Sequence, residues 1–181
     1  MGFTLNLTED RTITRPTLVP PPSDAHKYSR GHAMIWSGPA LRTGASRLSA
    51  QAALAVGAGL VTIVGDRLAL AEHAAHVTAI MLREADAGLA CIDSRVTALA
   101  VGPAAGTGAN VQTTVLKLLE QHIPIVLDAD ALTAFAENPA LLFEATRPTD
   151  VMTPHIGEFR RLFPDISTED PAIAVRQASD R

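Results

Sequence analysis

The stretch VTALAVGPAAGTG, residues 96–108, decides the fold class of this chain. Its first six residues form a nearly continuous apolar run, which is typical of a strand buried on both faces of a sheet. A glycine-rich turn follows, and Val111, Val115 and Leu118 then share one face of a predicted helix over 109–121. A buried strand that leads through a tight turn into a helix is the unit from which parallel α/β sheets are built.

The same unit repeats along the chain. Further strands are predicted at 33–36, 60–64, 79–82, 123–127 and 150–153, and further helices at 44–56, 67–76, 131–136, 141–145, 158–162 and 172–181. Gly57 and Gly59 are placed to cap the helix over 44–56. The alternation predicts a mostly parallel sheet with helices on both faces, a three-layer α/β/α domain over residues 32–181. Residues 1–31 are rich in proline, which disfavours helix, and are predicted to form an extended arm.

Composition narrows the classes of function. A net charge of −4 argues against binding to nucleic acid or to an anionic membrane. The single cysteine, Cys91, excludes an intramolecular disulfide and favours a reducing, cytoplasmic location. The uncharged stretch 48–65 is interrupted by Gly57 and Gly59, so we expect a buried helix followed by a strand and no membrane span.

Four loops that follow predicted strands are rich in residues that suit ligand binding. They are SGPALRTGA at 37–45, GPAAGTG at 102–108, LDADAL at 127–132 and TPHIGE at 153–158. Ligands of parallel sheets bind outside the carboxyl ends of the strands, so the four loops are expected to meet at one edge. Glycines and the free amides of helix N-termini would let a ligand approach the backbone.

Each loop also has a purely structural interpretation. The glycine-rich segments could be tight turns, and Asp130 is well placed to cap the helix that follows it. His155 could be an ordinary surface or core histidine. His73 and His76 could form a metal pair, but no third ligand accompanies them, so a solvated helix face is the favoured interpretation. A ligand site is favoured because the four loops are expected to share one edge of the sheet.

With these loops, the sequence resembles the ADP/ATP-dependent NAD(P)H-hydrate dehydratase family, which has a ribokinase-like fold. It is most similar to the dehydratase domain of bifunctional repair proteins. The resemblance rests on HKYSRG at 26–31, GA at 44–45, GAGLVT at 57–62, GPAAG at 102–106, LDADAL at 127–132 and TPHIGEF at 153–159.

This resemblance implies a substrate, the hydrated form of NADH or NADPH, and a nucleotide, ADP or ATP with Mg²⁺. Family chemistry phosphorylates the ring hydroxyl and then eliminates phosphate. The substrate-binding residues that it implies are Ala45, Gly106 and His155, flanked by Gly157, Glu158, Phe159, Arg160 and Arg161, with Gly102 and Asp128 as additional candidates.

The sequence departs from the family pattern in two places. Many members have glycine where this chain has Ala104, which makes Gly106 the expected point of close approach. Members also continue into a Lys-Gly segment and a Gly-x-Gly-Asp motif with the catalytic aspartate, and neither follows here. We therefore expect an incomplete sheet, no catalytic residue within the 181 residues and little turnover.

An open sheet edge would favour a homo-oligomer. Two alternatives to the dehydratase remain open at this point. One is a ribokinase-like kinase acting on a vitamin precursor or a sugar, and the other is a non-catalytic dinucleotide-binding fragment.

Overall fold

A computed structural model describes residues 20–85 and 89–181, so most of the predicted arm lies outside the described residues. The strands are β1 His32–Trp36, β2 Leu60–Gly65, β3 Met81–Glu84, β4 Val96–Val101, β5 Ile125–Leu127 and β6 Val151–Met152. The helices are α1 Gly44–Ala55, α2 Arg67–Ala74, α3 Ala109–Leu119, α4 Asp130–Thr133, α5 Pro139–Ala145, α6 Ile156–Leu162 and α7 Pro171–Ser179.

The six strands form one parallel sheet in the order β3-β2-β1-β4-β5-β6. The chain first winds outward from β1 to β3 and then returns to place β4 on the other side of β1. The direction of winding therefore reverses between β1 and β4, which is where doubly wound sheets open a crevice for ligands. The predicted parallel α/β fold is confirmed.

Helices cover both faces of the sheet because successive strand residues point to opposite sides. On β1, Ile35 packs with Val61 and Ile63 of β2 and Ala50 of α1. Met34 belongs to the larger cluster on the other face, which includes residues of α3, α4, α5, α6 and α7. The near-continuous apolar strands of the sequence are thus explained by burial on two sides.

The two glycines after α1 have different roles. Gly57 has φ of +113°, and its N–H donates to Leu54 while the N–H of Ala58 donates to Ala53. This is the Schellman arrangement that ends helices, so the predicted cap at Gly57 is confirmed. Gly59 instead allows the segment before β1 to pack against the backbone, because a Cβ on Gly59 would lie 1.8 Å from the carbonyl oxygen of Lys27.

Element boundaries differ from the predicted ones by a few residues. The third strand runs from Met81 to Glu84 and not from 79 to 82, and the sixth comprises only two residues. Such short edge elements carry little periodicity, so sequence patterns place their ends poorly. Among the described residues, no helix is long and apolar enough to span a bilayer.

Candidate functional site

The carboxyl ends of β1, β4, β5 and β6 lie side by side, so the four loops singled out from the sequence meet at one edge of the sheet, as predicted. A cavity of about 90 Å³ opens there. Its walls come from the ends of these strands, from the start of α1 and from the following loops: Ile35, Trp36, Ser46, Ser49, Ala100, Val101, Pro103, Val126, Asp128 and Thr153. The cavity lies at the β1/β4 reversal point.

The loop after β4 is held in a conformation that depends on glycine. Gly102 has φ of +145°, and a Cβ on it would lie 1.7 Å from the carbonyl oxygen of Asp128. Ala104 adopts φ of +59° at the position where many members of the resembled family have glycine. It also touches the first loop closely, since a Cβ on Gly38 would lie 2.6 Å from the Ala104 oxygen. The first two loops are therefore packed backbone against backbone.

Both carboxylates of the LDADAL segment bind partners within the protein. Asp128 Oδ1 accepts a hydrogen bond of 2.9 Å from the Thr153 hydroxyl, which joins the ends of β5 and β6. Asp130 Oδ2 accepts one of 2.8 Å from the N–H of Gly106. The predicted N-cap role of Asp130 is wrong, because Ala129 occupies the cap position and Asp130 is the first helical residue. Its side chain reaches across to the glycine-rich loop, a contact between residues 24 positions apart.

Ala129 adopts an unusual conformation between the two aspartates, with φ of +49° and ψ of −117°. Residues that carry a Cβ rarely adopt this combination of positive φ and negative ψ. They keep it only where surrounding contacts fix the backbone. Here the flanking hydrogen bonds of Asp128 and Asp130 supply those contacts.

The start of α1 presents an exposed turn to the same edge. Ala45 is exposed, and a Cβ on Gly44 would meet nothing within 4 Å. The residue before the helix, Thr43, makes no side-chain cap, because its hydroxyl donates to Glu72 Oε1 at 2.5 Å. Hydrogen bonds from Thr43 and from the Leu41 amide hold the pKa of Glu72 below its usual range. The first turn of α1 therefore keeps backbone N–H groups available for a ligand.

His155 is the N-cap of α6. Its Nδ1 accepts the N–H of Gly157 at 2.9 Å, and the Glu158 carboxylate in return accepts the N–H of His155 at 2.9 Å. The other ring nitrogen, Nε2, lies 3.1 Å from Glu158 Oε1, and the His155 side chain is 65% exposed. The ring thus forms a capping box while one edge remains open to solvent. This capping role was not predicted from the sequence.

The residues that follow His155 divide between core and surface. Glu158 and Phe159 are buried, and the Phe159 ring lies 4.9 Å from that of Phe163. Any contact of Phe159 with a ligand is therefore made by its backbone. The Arg160 guanidinium bonds the hydroxyl of Thr168, whereas Arg161 is exposed.

His73 packs behind the loop that follows β1. It was assigned to a solvated helix face, but the structure buries it completely, so that assignment is wrong. Its Nε2 lies 2.8 Å from the hydroxyl of Ser37, the first residue after β1. The signal in the sequence was the spacing from Ala69, because residues four apart share one helix face and both are buried. No group of three or more His, Cys, Asp or Glu residues in the described ranges could hold a metal ion.

The chain is similar to known proteins in both sequence and fold. The model of the NAD(P)H-hydrate dehydratase family matches residues 33–181. A bifunctional NAD(P)H-hydrate repair enzyme of Synechocystis sp. is 39% identical over 168 residues, which cover 87% of this chain and 32% of the relative. The corresponding enzyme of Mycobacterium tuberculosis is 35% identical over 162 residues, covering 90% and 33%. The chain thus spans about a third of the length of these curated relatives.

Solved structures share the fold. A ribokinase-like superfamily protein from Enterococcus faecalis superposes with a TM-score of 0.72 at 24% identity, covering 89% of this chain and 57% of that one. An ADP/ATP-dependent NAD(P)H-hydrate dehydratase from Bacillus subtilis, co-crystallized with ATP/Mg²⁺, gives 0.66 at 24% identity, covering 88% and 55%. The predicted ribokinase-like architecture is confirmed.

Proposed function

Because the chain belongs to the NAD(P)H-hydrate dehydratase family, we propose that it binds hydrated NADH or NADPH at the carboxyl edge of its sheet. The reaction it serves is the nucleotide-dependent dehydration that restores the nicotinamide ring. The observation that supports this most is the meeting of the four family-like loops around one cavity at the β1/β4 reversal point.

Ala45, Gly106 and His155 are the proposed contacts to the hydrated dinucleotide. The exposed first turn of α1 around Ala45 suits a phosphate group, since helix N-termini favour anions. Gly106 has φ of +85° and no side chain, so its backbone can approach a ligand closely. The open edge of the His155 ring and the exposed Arg161 complete the proposed surface.

Glu158 and Phe159 are proposed to support this surface from the core. Gly157 belongs to the same turn, where a Cβ would lie 2.8 Å from the His155 ring and displace it. Arg160 is proposed to border the ligand beside Arg161. Gly102 and Asp128 shape the neighbouring loop, Gly102 through the close approach that its missing side chain allows.

A nucleotide is the proposed co-substrate. A hydroxyl is a poor leaving group, and transfer of a phosphoryl group from ADP or ATP converts it into phosphate, which can leave. Mg²⁺ is proposed to be carried by the nucleotide's phosphates, because this ion keeps several waters and binds substrate phosphates with only one or two carboxylates. The sequence contains no Gly-x-Gly-Asp, so we assign the general base to no residue of this chain.

Two further properties are proposed. The single cysteine and the metabolic role of the family favour a cytoplasmic setting. Self-association through β6 is favoured because this strand lies at the sheet edge with Val151 half exposed. Sedimentation velocity tests this, and a monomer at all concentrations would contradict it.

Thermal unfolding with and without ligand tests the proposed binding. Hydrated NADPH at about 100 times its Kd should stabilise the protein by about 2.7 kcal/mol through mass action. NADPH itself, a pyrimidine vitamin precursor and a sugar serve as comparison ligands. A shift with the pyrimidine or the sugar, and none with hydrated NADPH, would favour a kinase and refute the proposal.

A further inference from the structure

Two adjacent residues of α2 hold the loop between β1 and α1. His73 is fully buried, and its Nε2 lies 2.8 Å from Ser37 Oγ. The Ser37 hydroxyl also lies 2.7 Å from the carbonyl oxygen of Gly38 and 3.1 Å from the Ser46 hydroxyl. Ser46 is itself buried and lines the cavity at the sheet edge. His73 is thus linked to the cavity wall through two serines.

Glu72 holds the other half of the same loop. Its Oε2 accepts the N–H of Leu41 at 2.6 Å, and its Oε1 accepts the Thr43 hydroxyl at 2.5 Å. Leu41 has φ of +69° and a side chain that is 94% exposed. Nothing in its own packing therefore stabilises this unfavourable conformation, and the hydrogen bond to Glu72 does.

The proton of His73 can be assigned from the same contacts. Burial lowers the pKa of His73, so its ring is neutral at pH 7. Among the described residues Nδ1 has no hydrogen-bond partner. A proton on Nδ1 would be a buried donor without an acceptor, whereas a proton on Nε2 can be donated to Ser37. Ser37 then accepts from His73 and donates to Gly38, so His73 does not activate it as a nucleophile.

We infer that His73 is a positioning residue of the candidate site. Acting through Ser37, it sets the course of the β1–α1 loop and with it the first turn of α1, where Ala45 meets the ligand. The inference rests on the proposed function for the identity of that ligand. The placement of the loop itself rests only on the contacts within this chain.

Three variants separate this role from general stability. His73→Leu removes the donor and keeps an apolar group of similar size, whereas His73→Gln retains an N–H that can reach Ser37. His32→Leu is the matched control. His32 is also buried, its Nε2 lies 2.8 Å from the Thr62 hydroxyl and its Nδ1 lacks a partner among the described residues. It lies at the opposite end of β1, away from the site.

Two quantities are measured on each variant. One is hydrogen exchange of the Ser37 amide, which donates to the Val64 carbonyl oxygen at 2.8 Å, and the other is the Kd for hydrated NADPH. His73→Leu should accelerate the exchange and weaken binding by about tenfold, the usual effect of losing one hydrogen bond and leaving its partner unpaired. His73→Gln should stay within about threefold of the parent in both, as a retained hydrogen bond predicts. His32→Leu should change neither quantity.

The outcomes distinguish the positioning role of His73 from the proposed binding of hydrated NADPH. Unchanged Ser37 exchange in His73→Leu would overturn the positioning role, as would equal effects of His32→Leu. Faster exchange with unchanged Kd would show that the loop does not govern the site, which also overturns the inference. If the parent chain binds no hydrated NADPH, the proposed function fails, and the exchange data alone then decide whether His73 positions the loop.

Discussion

His155→Ala should cost the protein both stability and ligand affinity, whereas His155→Asn should cost it affinity and only about 0.5 kcal/mol of stability. The imidazole has two tasks in this structure. Its Nδ1 caps the first turn of α6, and its exposed edge is proposed to meet the dinucleotide. Alanine removes both the Nδ1 acceptor and the exposed ring edge. Asparagine is among the best N-cap residues and restores the acceptor without the ring.

The size of the stability loss follows from the contacts of the ring. Replacing an N-cap by alanine costs about 1 kcal/mol. The change also removes the contact of 3.1 Å between Nε2 and the buried Glu158 carboxylate, which still accepts the backbone N–H of residue 155. A total of about 1.5 kcal/mol is therefore expected. At a urea m-value of about 2 kcal/mol/M, this lowers the midpoint by roughly 0.75 M.

Urea unfolding and calorimetric titration with hydrated NADPH measure the two effects. Asp170→Ala is the control, because Asp170 caps α7 through the N–H groups of Ala172 and Ile173 and is not a proposed ligand contact. It should lower the midpoint and leave Kd unchanged. Full affinity in His155→Asn would refute the ring contact, and a parental midpoint in His155→Ala would refute the cap.

Three further predictions concern the loops and the buried histidines. Ala129→Gly should stabilise the protein by about 1 kcal/mol, since relief of its strained backbone exceeds the added freedom of the unfolded chain. The exposed helical control Ala52→Gly should instead lose about 1 kcal/mol in the same urea titration. Gly102→Ala should cost more than about 4 kcal/mol or prevent folding, because its Cβ would overlap the Asp128 carbonyl. Gly108→Ala, with open space around it, should lose no more than about 1 kcal/mol through its N-cap position, and similar losses in both would contradict the steric argument. Burial lowers the pKa of His32 and of His73, so the unfolded chain takes up protons first as pH falls below the ordinary value of 6.5. The free energy of unfolding should therefore decrease as pH falls below 6.5, and this decrease should be shallower in the double variant His32→Gln, His73→Gln. An equally steep decrease in the double variant would assign the pH dependence to other titrating groups.

Much of the fold could be predicted because its signals are local. The apolar run at β4 matches the predicted strand residue for residue, and Gly57 caps α1 as expected. The co-location of the four loops also followed from the sequence, since parallel strands carry their following loops to one edge. These conclusions need only the periodicity of neighbouring residues and the geometry of parallel pairing.

Contacts between distant residues could not be predicted in this way. Periodicity does not reveal that the carboxylate of Asp130 would bind the Gly106 amide, 24 residues away, and not cap its own helix. The link from His73 to Ser37 spans 36 residues, and it turned an assumed surface histidine into a buried one.

The sequence by itself determined which segments are strands, which loops share the edge of the sheet and which family motifs those loops carry. Only the tertiary structure decided how the polar groups of those loops are paired. The physical reason is that apolar patterning selects a face for each element, whereas a hydrogen bond requires two groups to meet within about 3 Å. That meeting depends on the packing of the whole domain.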